Sequence, residues 1–82
     1  MMTLNWRDYI HSDPNILVGK PVLKGTRLSV EFIMGLLAQG WSEQQIMENY
    51  PLVTADKLRA VFAFATESLR DEFVFMLPAE IP

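Results

Sequence analysis

Two basic side chains near the start of a predicted helix are the residues of this chain best suited to bind another molecule. Lys57 and Arg59 follow Thr54, whose hydroxyl is a common cap for a helix N-terminus. Basic side chains in the first turns of a helix can contact phosphates and guanine edges in the major groove of DNA. Asp56 opposes this interpretation, because its carboxylate repels phosphate. The pattern leaves two interpretations open, DNA binding and an ordinary solvated helix face.

Side chains suited to catalysis or metal binding are few. The chain has no cysteine and a single histidine, His11, which excludes thiol catalysis and a metal site built from cysteine and histidine pairs. The stretch Gly19-Lys20-Pro21 has the glycine and lysine of a phosphate-binding loop, but it lacks the earlier glycine and the Ser or Thr after the lysine. We therefore expect no enzyme, no metal site and no cofactor.

The segment from residue 42 to residue 72 predicts two helices that would position the basic pair. Ser42 and Gln45 have the spacing of a capping box, and Pro51 ends this helix at Tyr50. The next helix begins at Thr54, and its signals persist to about residue 72. Two helices with a short link form a helix-turn-helix arrangement, in which backbone N–H groups at the first helix start can also hold a phosphate. The candidate DNA contacts on these helices are Ser42, Gln44, Thr54, Lys57 and Arg59.

Apolar spacing predicts how these helices pack. A further helix is expected before them, with Ser29 as its N-cap and Gly40 as its left-handed C-terminal glycine. Because Lys57 and Arg59 lie off the apolar stripe of the last helix, we expect both to be solvated. That stripe is predicted to contain Leu58, Val61, Phe62, Ala65 and Leu69.

The first 28 residues predict a small β element with two or three short strands. Ile16–Val18 is a short apolar run, and the turn 24–27 is expected to have Gly25 at positive φ. With 82 residues, the chain is long enough for one domain. The predicted fold is mainly α: a β/turn element over 1–28, a three-helix helix-turn-helix bundle over 29–72, and an apolar tail over 73–82.

The charges of the chain are unevenly distributed. The net charge is −3, which argues against a nucleic-acid binder when the chain is taken whole. Residues 1–30 nevertheless carry four basic and two acidic side chains, whereas residues 31–82 carry three basic and eight acidic ones. This division suggests two faces with different partners, although ordinary surface scatter also accounts for it. No apolar run is long enough to span a membrane and the start lacks a signal-peptide core, so we expect a cytoplasmic protein.

The stretch from residue 10 to residue 30 resembles the opening signature of a small bacterial family of unknown function, numbered four-three-three and described as antitoxin-like. The specific part is Gly19-Lys20-Pro21-Val22-Leu23-Lys24-Gly25-Thr26-Arg27. Val18 departs from the family, since many members have a second glycine there. The resemblance covers roughly residues 9–66, and its further matches are Leu37, Gly40, Ser42, Ile46, Tyr50-Pro51, Thr54, Leu58 and Ala60.

The resemblance implies a homeodomain-like helix-turn-helix and the antitoxin half of a type II toxin–antitoxin pair, similar to the VapB antitoxins. The toxin would be a PIN-like ribonuclease. Antitoxins of this kind form homodimers, bind their own promoter DNA with one part and block the toxin with another. The DNA-binding part would include Lys24 and Arg27 as well as the helix start at 54–59.

The toxin-binding part would be the end of the last helix and the apolar tail. We expect Phe64 to be exposed until a partner covers it, and Arg70 to enter the carboxylate cluster of the nuclease. Two alternatives remain for the tail, which can fold back on its own helices or pair in a homodimer. The alternative function is a protein-interaction module of the same fold that does not bind DNA. The candidate toxin contacts are Phe64, Arg70, Phe73, Phe75, Met76 and Leu77.

Overall fold

The computed structural model describes residues 4–76, with side chains described through residue 70. A two-stranded antiparallel hairpin precedes three helices, which confirms the predicted fold class. None of the helices in this range is both long and apolar enough to cross a bilayer. The elements are a 3₁₀ turn (Trp6–Asp8), β1 (Ile10–Ser12), a second 3₁₀ turn (Leu17–Gly19), β2 (Pro21–Leu23), α1 (Val30–Ala38), α2 (Glu43–Asn49) and α3 (Ala55–Met76).

The hairpin is formed by strands that lie farther apart in sequence than a tight turn would allow. Ile10 pairs with Leu23 and Ser12 with Pro21, so the second 3₁₀ turn lies inside the connection between β1 and β2. The apolar run Ile16–Val18 is therefore a turn and not a strand. Ile10 and Leu23 are both buried, which fixes the register of the hairpin against the helices.

Each helix begins at the residue that the sequence predicts. The Ser29 hydroxyl accepts a hydrogen bond from the Phe32 backbone, and Ser42 and Gln45 form both bonds of the capping box. At the end of α1, Gly40 has φ +97° and Trp41 N–H donates to the Leu36 carbonyl, as in a Schellman motif. Local capping chemistry thus sets the ends of α1 and the start of α2.

Helix α3 differs from its prediction in length and in orientation. It continues to Met76, past the predicted end near residue 72, because no proline interrupts it before Pro78. Phe62 and Leu69 were predicted to be buried, yet they are 39% and 57% exposed. Ala60 is fully buried instead, because the N-terminal 3₁₀ turn packs on α3 and the buried face extends to that side. Helix α2 is also shorter than predicted and ends at Asn49.

The core lies where the hairpin and the three helices meet. Its fully buried members include Leu23, Ile33, Ile46, Val53 and Leu58. These residues come from β2, from each of the three helices and from the turn between α2 and α3, so that turn is anchored to the core by Val53. The surface around the turn is consequently held in a defined position.

Candidate nucleic-acid interface

The link between α2 and α3 is a short, hydrogen-bonded turn. The Val53 N–H donates to the Tyr50 carbonyl at 2.8 Å, and the buried Val53 side chain anchors the turn to the core. Tyr50 packs edge to face against Phe32 of α1, with ring centroids 5.6 Å apart. The structure therefore has the predicted helix-turn-helix order, with a turn that is fixed relative to α1.

At the start of α3, Lys57 differs from its prediction, which was a fully solvated side chain. Its Nζ donates to the Leu52 carbonyl at 2.8 Å, and the side chain is half-buried. The backbone N–H of Lys57 donates to the Thr54 hydroxyl, so Thr54 is the cap of α3. An ammonium group has three donors, and this contact uses one of them. This hydrogen bond stabilises the turn and places the Lys57 ammonium group beside the Leu52 carbonyl.

Arg59 fulfils the prediction of a solvated basic side chain. It is exposed, and within the described residues it makes no salt bridge. Asp56 is exposed in the same stretch of α3 and lowers the local positive potential. Arg59 is accordingly the side chain on this helix start that is best placed to contact a phosphate.

The predicted phosphate site at the start of α2 stays a prediction, and the capping box occupies part of it. The Ser42 hydroxyl accepts from the Gln45 N–H, and the Ser42 N–H donates to the Gln45 side chain, so the capping box uses two of the backbone N–H groups at this helix start. Gln44 donates to Glu48 at 3.1 Å, and Glu43 adds a carboxylate to the first turn. Ser42 and Gln44 therefore serve the helix itself.

Lys24 and Arg27 lie on a tight turn next to the helix-turn-helix. Gly25 has φ +80°, which confirms the predicted positive φ, and the Thr26 hydroxyl donates to the Leu23 carbonyl at 2.8 Å. Leu28 N–H donates to the same hydroxyl, which closes the turn. Both basic side chains are exposed. The turn is rigid, and it presents Lys24 and Arg27 to solvent.

A cavity of about 640 Å³ separates this turn from the link between α2 and α3. Arg27 lies on one wall and Leu52 on the other, and His11 also lines it. An adjoining cavity of about 490 Å³ shares Arg27 and is lined by Val18 and Phe32. We call the two cavities together the Arg27 groove. Sequence reasoning missed the groove, because its walls come from β1, three turns, α1 and the end of α2, and only the fold brings them together.

The second 3₁₀ turn contributes a strained edge to the Arg27 groove. Leu17 and Val18 have φ values of +49° and +56°, in the left-handed region that β-branched residues rarely adopt. Val18 is 95% exposed, so no packing of its own side chain compensates for this backbone conformation. Val18 is also the residue at which the chain departs from the signature that it resembles, and a glycine here would adopt positive φ without strain.

The predicted toxin contacts fall into three groups. Phe64, which we expected to be exposed, is half-buried. It packs edge to face on Trp6, with ring centroids 4.8 Å apart. Arg70 is exposed on α3. The backbone of Phe73, Phe75 and Met76 belongs to α3, but their side chains lie outside the described part of the chain. Leu77 and the rest of the predicted tail through residue 82 lie outside the described residues altogether.

Phe64 is covered because the N-terminal segment crosses α3. The Trp6 indole N–H donates to the Glu67 carboxylate, and the Arg7 guanidinium lies 3.3 Å from the same carboxylate. The hydrogen bond from Trp6, followed by the hydrogen bond and charge of Arg7, lowers the pKa of Glu67 below its ordinary value. The contact joins chain segments at opposite ends of the sequence.

The sequence profile of the family described as "Protein of unknown function (DUF433)" matches residues 10–65. The chain belongs to the DUF433 family. It is also 36% identical over 59 residues to a protein of Sinorhizobium fredii named "Uncharacterized protein y4eO". That match covers 72% of this chain and 27% of the relative, so the chain corresponds to about a quarter of the longer protein. No solved structure gives a significant match.

The DUF433 match divides the candidate residues. Residues 10–65 contain the Arg27 groove, the helix-turn-helix and the start of α3 with Arg59. Trp6, Arg7 and Glu67 lie outside the match, as does Arg70. The groove and the helix start are therefore features of the family segment, whereas the contact between the N-terminal turn and α3 is formed by residues that flank it.

Proposed function

We propose that this DUF433 protein is a cytoplasmic, DNA-binding antitoxin that acts as a homodimer on its own promoter DNA and neutralises a PIN-like ribonuclease. The observation that carries the proposal is the rigid helix-turn-helix, in which Arg59 is exposed near the start of α3 and Lys57 is fixed to the turn. A basic helix start presented by a fixed turn is the arrangement that helix-turn-helix proteins insert into the major groove.

The local charge supports DNA binding in spite of the net charge of −3. Lys57 lies at the same turn as Leu52, and Lys24 is exposed on the turn that forms the opposite side of the Arg27 groove. With Arg59, these side chains can contact about two or three phosphates per copy, which gives weak and salt-dependent binding. Two copies on one duplex strengthen the binding, because the second contact becomes intramolecular.

The outer side of α3 supports the toxin-binding half of the proposal. Phe62 and Leu69 are exposed and two helical turns apart, so they lie on one side of the helix, and Arg70 is adjacent. In this proposal Phe62 and Leu69 take the place of Phe64 as apolar contacts. Arg70 remains the cation that would meet the carboxylates of the nuclease.

The test is fluorescence anisotropy with a labelled duplex of the region upstream of the coding sequence. Arg59→Ala should weaken binding about fivefold to tenfold, because it removes one charge-assisted phosphate contact. Lys20→Ala is the matched control, since Lys20 is paired with Glu31 at 2.9 Å and is remote in sequence from α3. Equal affinities for wild type and Arg59→Ala would remove α3 from the DNA interface.

One observation favours a second function, a protein-interaction module that does not bind DNA. Four of the exposed large apolar residues, Leu17, Val18, Phe32 and Leu52, line the Arg27 groove, and clustered apolar exposure marks protein interfaces. This function predicts no anisotropy change with any duplex at low salt.

A further inference from the structure

The Arg27 groove has the chemical character of a peptide-binding surface with a single charged point. Leu52 is 60% exposed on its first cavity, and Leu17, Val18 and Phe32 are 42%, 95% and 40% exposed on its second. Arg27 and Leu28 line both cavities, so Arg27 lies where the two mainly apolar cavities meet. The occupant should therefore have two apolar parts separated by one anion.

Among residues 4–70, whose side chains the structure describes, no acidic residue lines either cavity. Lys20 also lines the second cavity, but its ammonium is paired with Glu31 at 2.9 Å. Among the side chains described, those of residues 4–70, Arg27 makes no salt bridge. The groove thus offers one uncompensated positive charge, and the side chain that complements it is a carboxylate.

An apolar groove with a single available cation is a poor fit for nucleic acid. Affinity for a DNA or RNA backbone comes from several phosphate contacts, each with its own cation. A protein segment, in contrast, gains from apolar burial and from a single charge-assisted contact that fixes its register. The surface therefore favours a protein segment as the occupant.

The chain itself contains a segment of this composition just past α3. Residues 77–82 read Leu-Pro-Ala-Glu-Ile-Pro, with Glu80 as the single charge and with Leu77 and Ile81 on its two sides. The order apolar, acidic, apolar matches the order of pocket, guanidinium and pocket in the groove. The segment therefore complements the groove in charge and in its apolar flanks.

The segment cannot reach the Leu52 wall of its own groove. Leu52 lies just before α3, and the helix from Ala55 to Met76 is about 32 Å long at 1.5 Å per residue. Six extended residues after Met76 cover at most about 20 Å. A second copy has no such restriction.

We propose that residues 77–82 of one copy bind in the Arg27 groove of a second copy, with Glu80 of the partner subunit paired to Arg27 and its apolar neighbours in the two pockets. The exchange is reciprocal, so each copy supplies one groove and one segment, as in an isologous dimer. This assigns Arg27 to a protein contact. The proposal goes beyond DNA binding and does not depend on it.

The test uses charge reversal in the full chain, measured by sedimentation velocity over a concentration series. Arg27→Glu and Glu80→Arg should each weaken self-association at least tenfold, because each places like charges at both contacts. An equimolar mixture of the two variants should recover the wild-type affinity as a heterodimer, because both contacts then pair opposite charges. Lys24→Glu is the control, since Lys24 is an exposed cation of the same turn and lines neither cavity.

Three outcomes would overturn the proposal. The first is a wild-type chain that remains monomeric at about 0.1 mM. The second is unchanged self-association in both single variants while their circular dichroism stays native. The third is a mixture that associates no better than the single variants, which would mean that the segment and the groove do not meet between copies. Recovery of wild-type affinity in the mixture of Arg27→Glu and Glu80→Arg supports the exchange, because no contact within one copy can produce that recovery.

Discussion

The indole N–H of Trp6 donates a hydrogen bond to the carboxylate of Glu67, a residue 61 positions later in the chain. The Trp6 ring also contacts Phe64 edge to face and lies under the Arg7 guanidinium at 4.3 Å from the ring centroid. One side chain therefore holds the N-terminal turn against the middle of α3. This contact covers the side of α3 that contains Phe64 and Glu67.

We predict that Trp6→Ala lowers the free energy of unfolding by about 2–3 kcal/mol, because it removes a large half-buried ring and its edge-to-face partner. Urea denaturation followed by far-UV circular dichroism measures this change. Trp6→Phe should recover part of the loss, since it keeps an aromatic ring against Phe64 but removes the indole donor and one ring. A loss below about 0.5 kcal/mol for the alanine variant would mean that the N-terminal turn does not stabilise α3.

We predict that Glu67 makes stability depend on acidic pH. Its pKa in the folded protein is below the ordinary value of 4.5, so the unfolded chain binds a proton first. The contribution of Glu67 to stability is complete above its pKa in the unfolded chain, and it is lost as the pH falls through its pKa in the folded protein. Tm measured from about pH 6 to pH 3 should fall less in Glu67→Gln than in wild type. Parallel Tm curves would contradict the contact.

We predict that Val18→Gly raises the free energy of unfolding by about 1 kcal/mol, because glycine adopts the φ of +56° without the clash of a β-branched side chain. The gain is limited by the greater backbone entropy of glycine in the unfolded chain. Val18→Ala is the control, since alanine keeps most of the left-handed strain. Equal stabilisation by alanine and glycine would assign the effect to the exposed side chain and not to the backbone.

We predict that Lys57 and Arg59 separate into different roles. Lys57→Ala should lower both stability, by about 0.5–1 kcal/mol, and DNA affinity, because the Nζ bond to the Leu52 carbonyl fixes the turn. Arg59→Ala should lower affinity alone, because Arg59 is exposed and makes no salt bridge within the described residues. Thermal melts and anisotropy on the same samples measure the two effects. A Lys57→Ala variant with unchanged Tm would show that its hydrogen bond contributes nothing to the turn.

Local rules were sufficient for the features that depend on neighbouring residues. Ser29, Thr54 and the Ser42–Gln45 pair cap helices as their types and spacing predict, and Gly25 has its expected positive φ. Each of these structures is decided within four residues of the chain, by a hydroxyl, an amide or a missing Cβ. The start of each helix was accordingly predictable.

Features that depend on distant residues were not predictable. The partial burial of Phe64, expected to be exposed, depends on Trp6, about 60 residues earlier in the chain. The contact of Lys57 with a carbonyl depends on the path of the turn, and a spacing rule cannot supply it. The Arg27 groove likewise exists only after the hairpin packs beside the helix-turn-helix.

The salt dependence of DNA binding is the sharpest test of the proposed DNA interface. For the wild-type chain and a labelled duplex of its own upstream region, the logarithm of the association constant should fall linearly with the logarithm of salt concentration, with a slope of about −2 to −3 per bound copy. That slope corresponds to the two or three phosphates that the basic side chains beside the turn can reach. No binding at about 50 mM salt, or binding whose strength does not change with salt, would contradict the account.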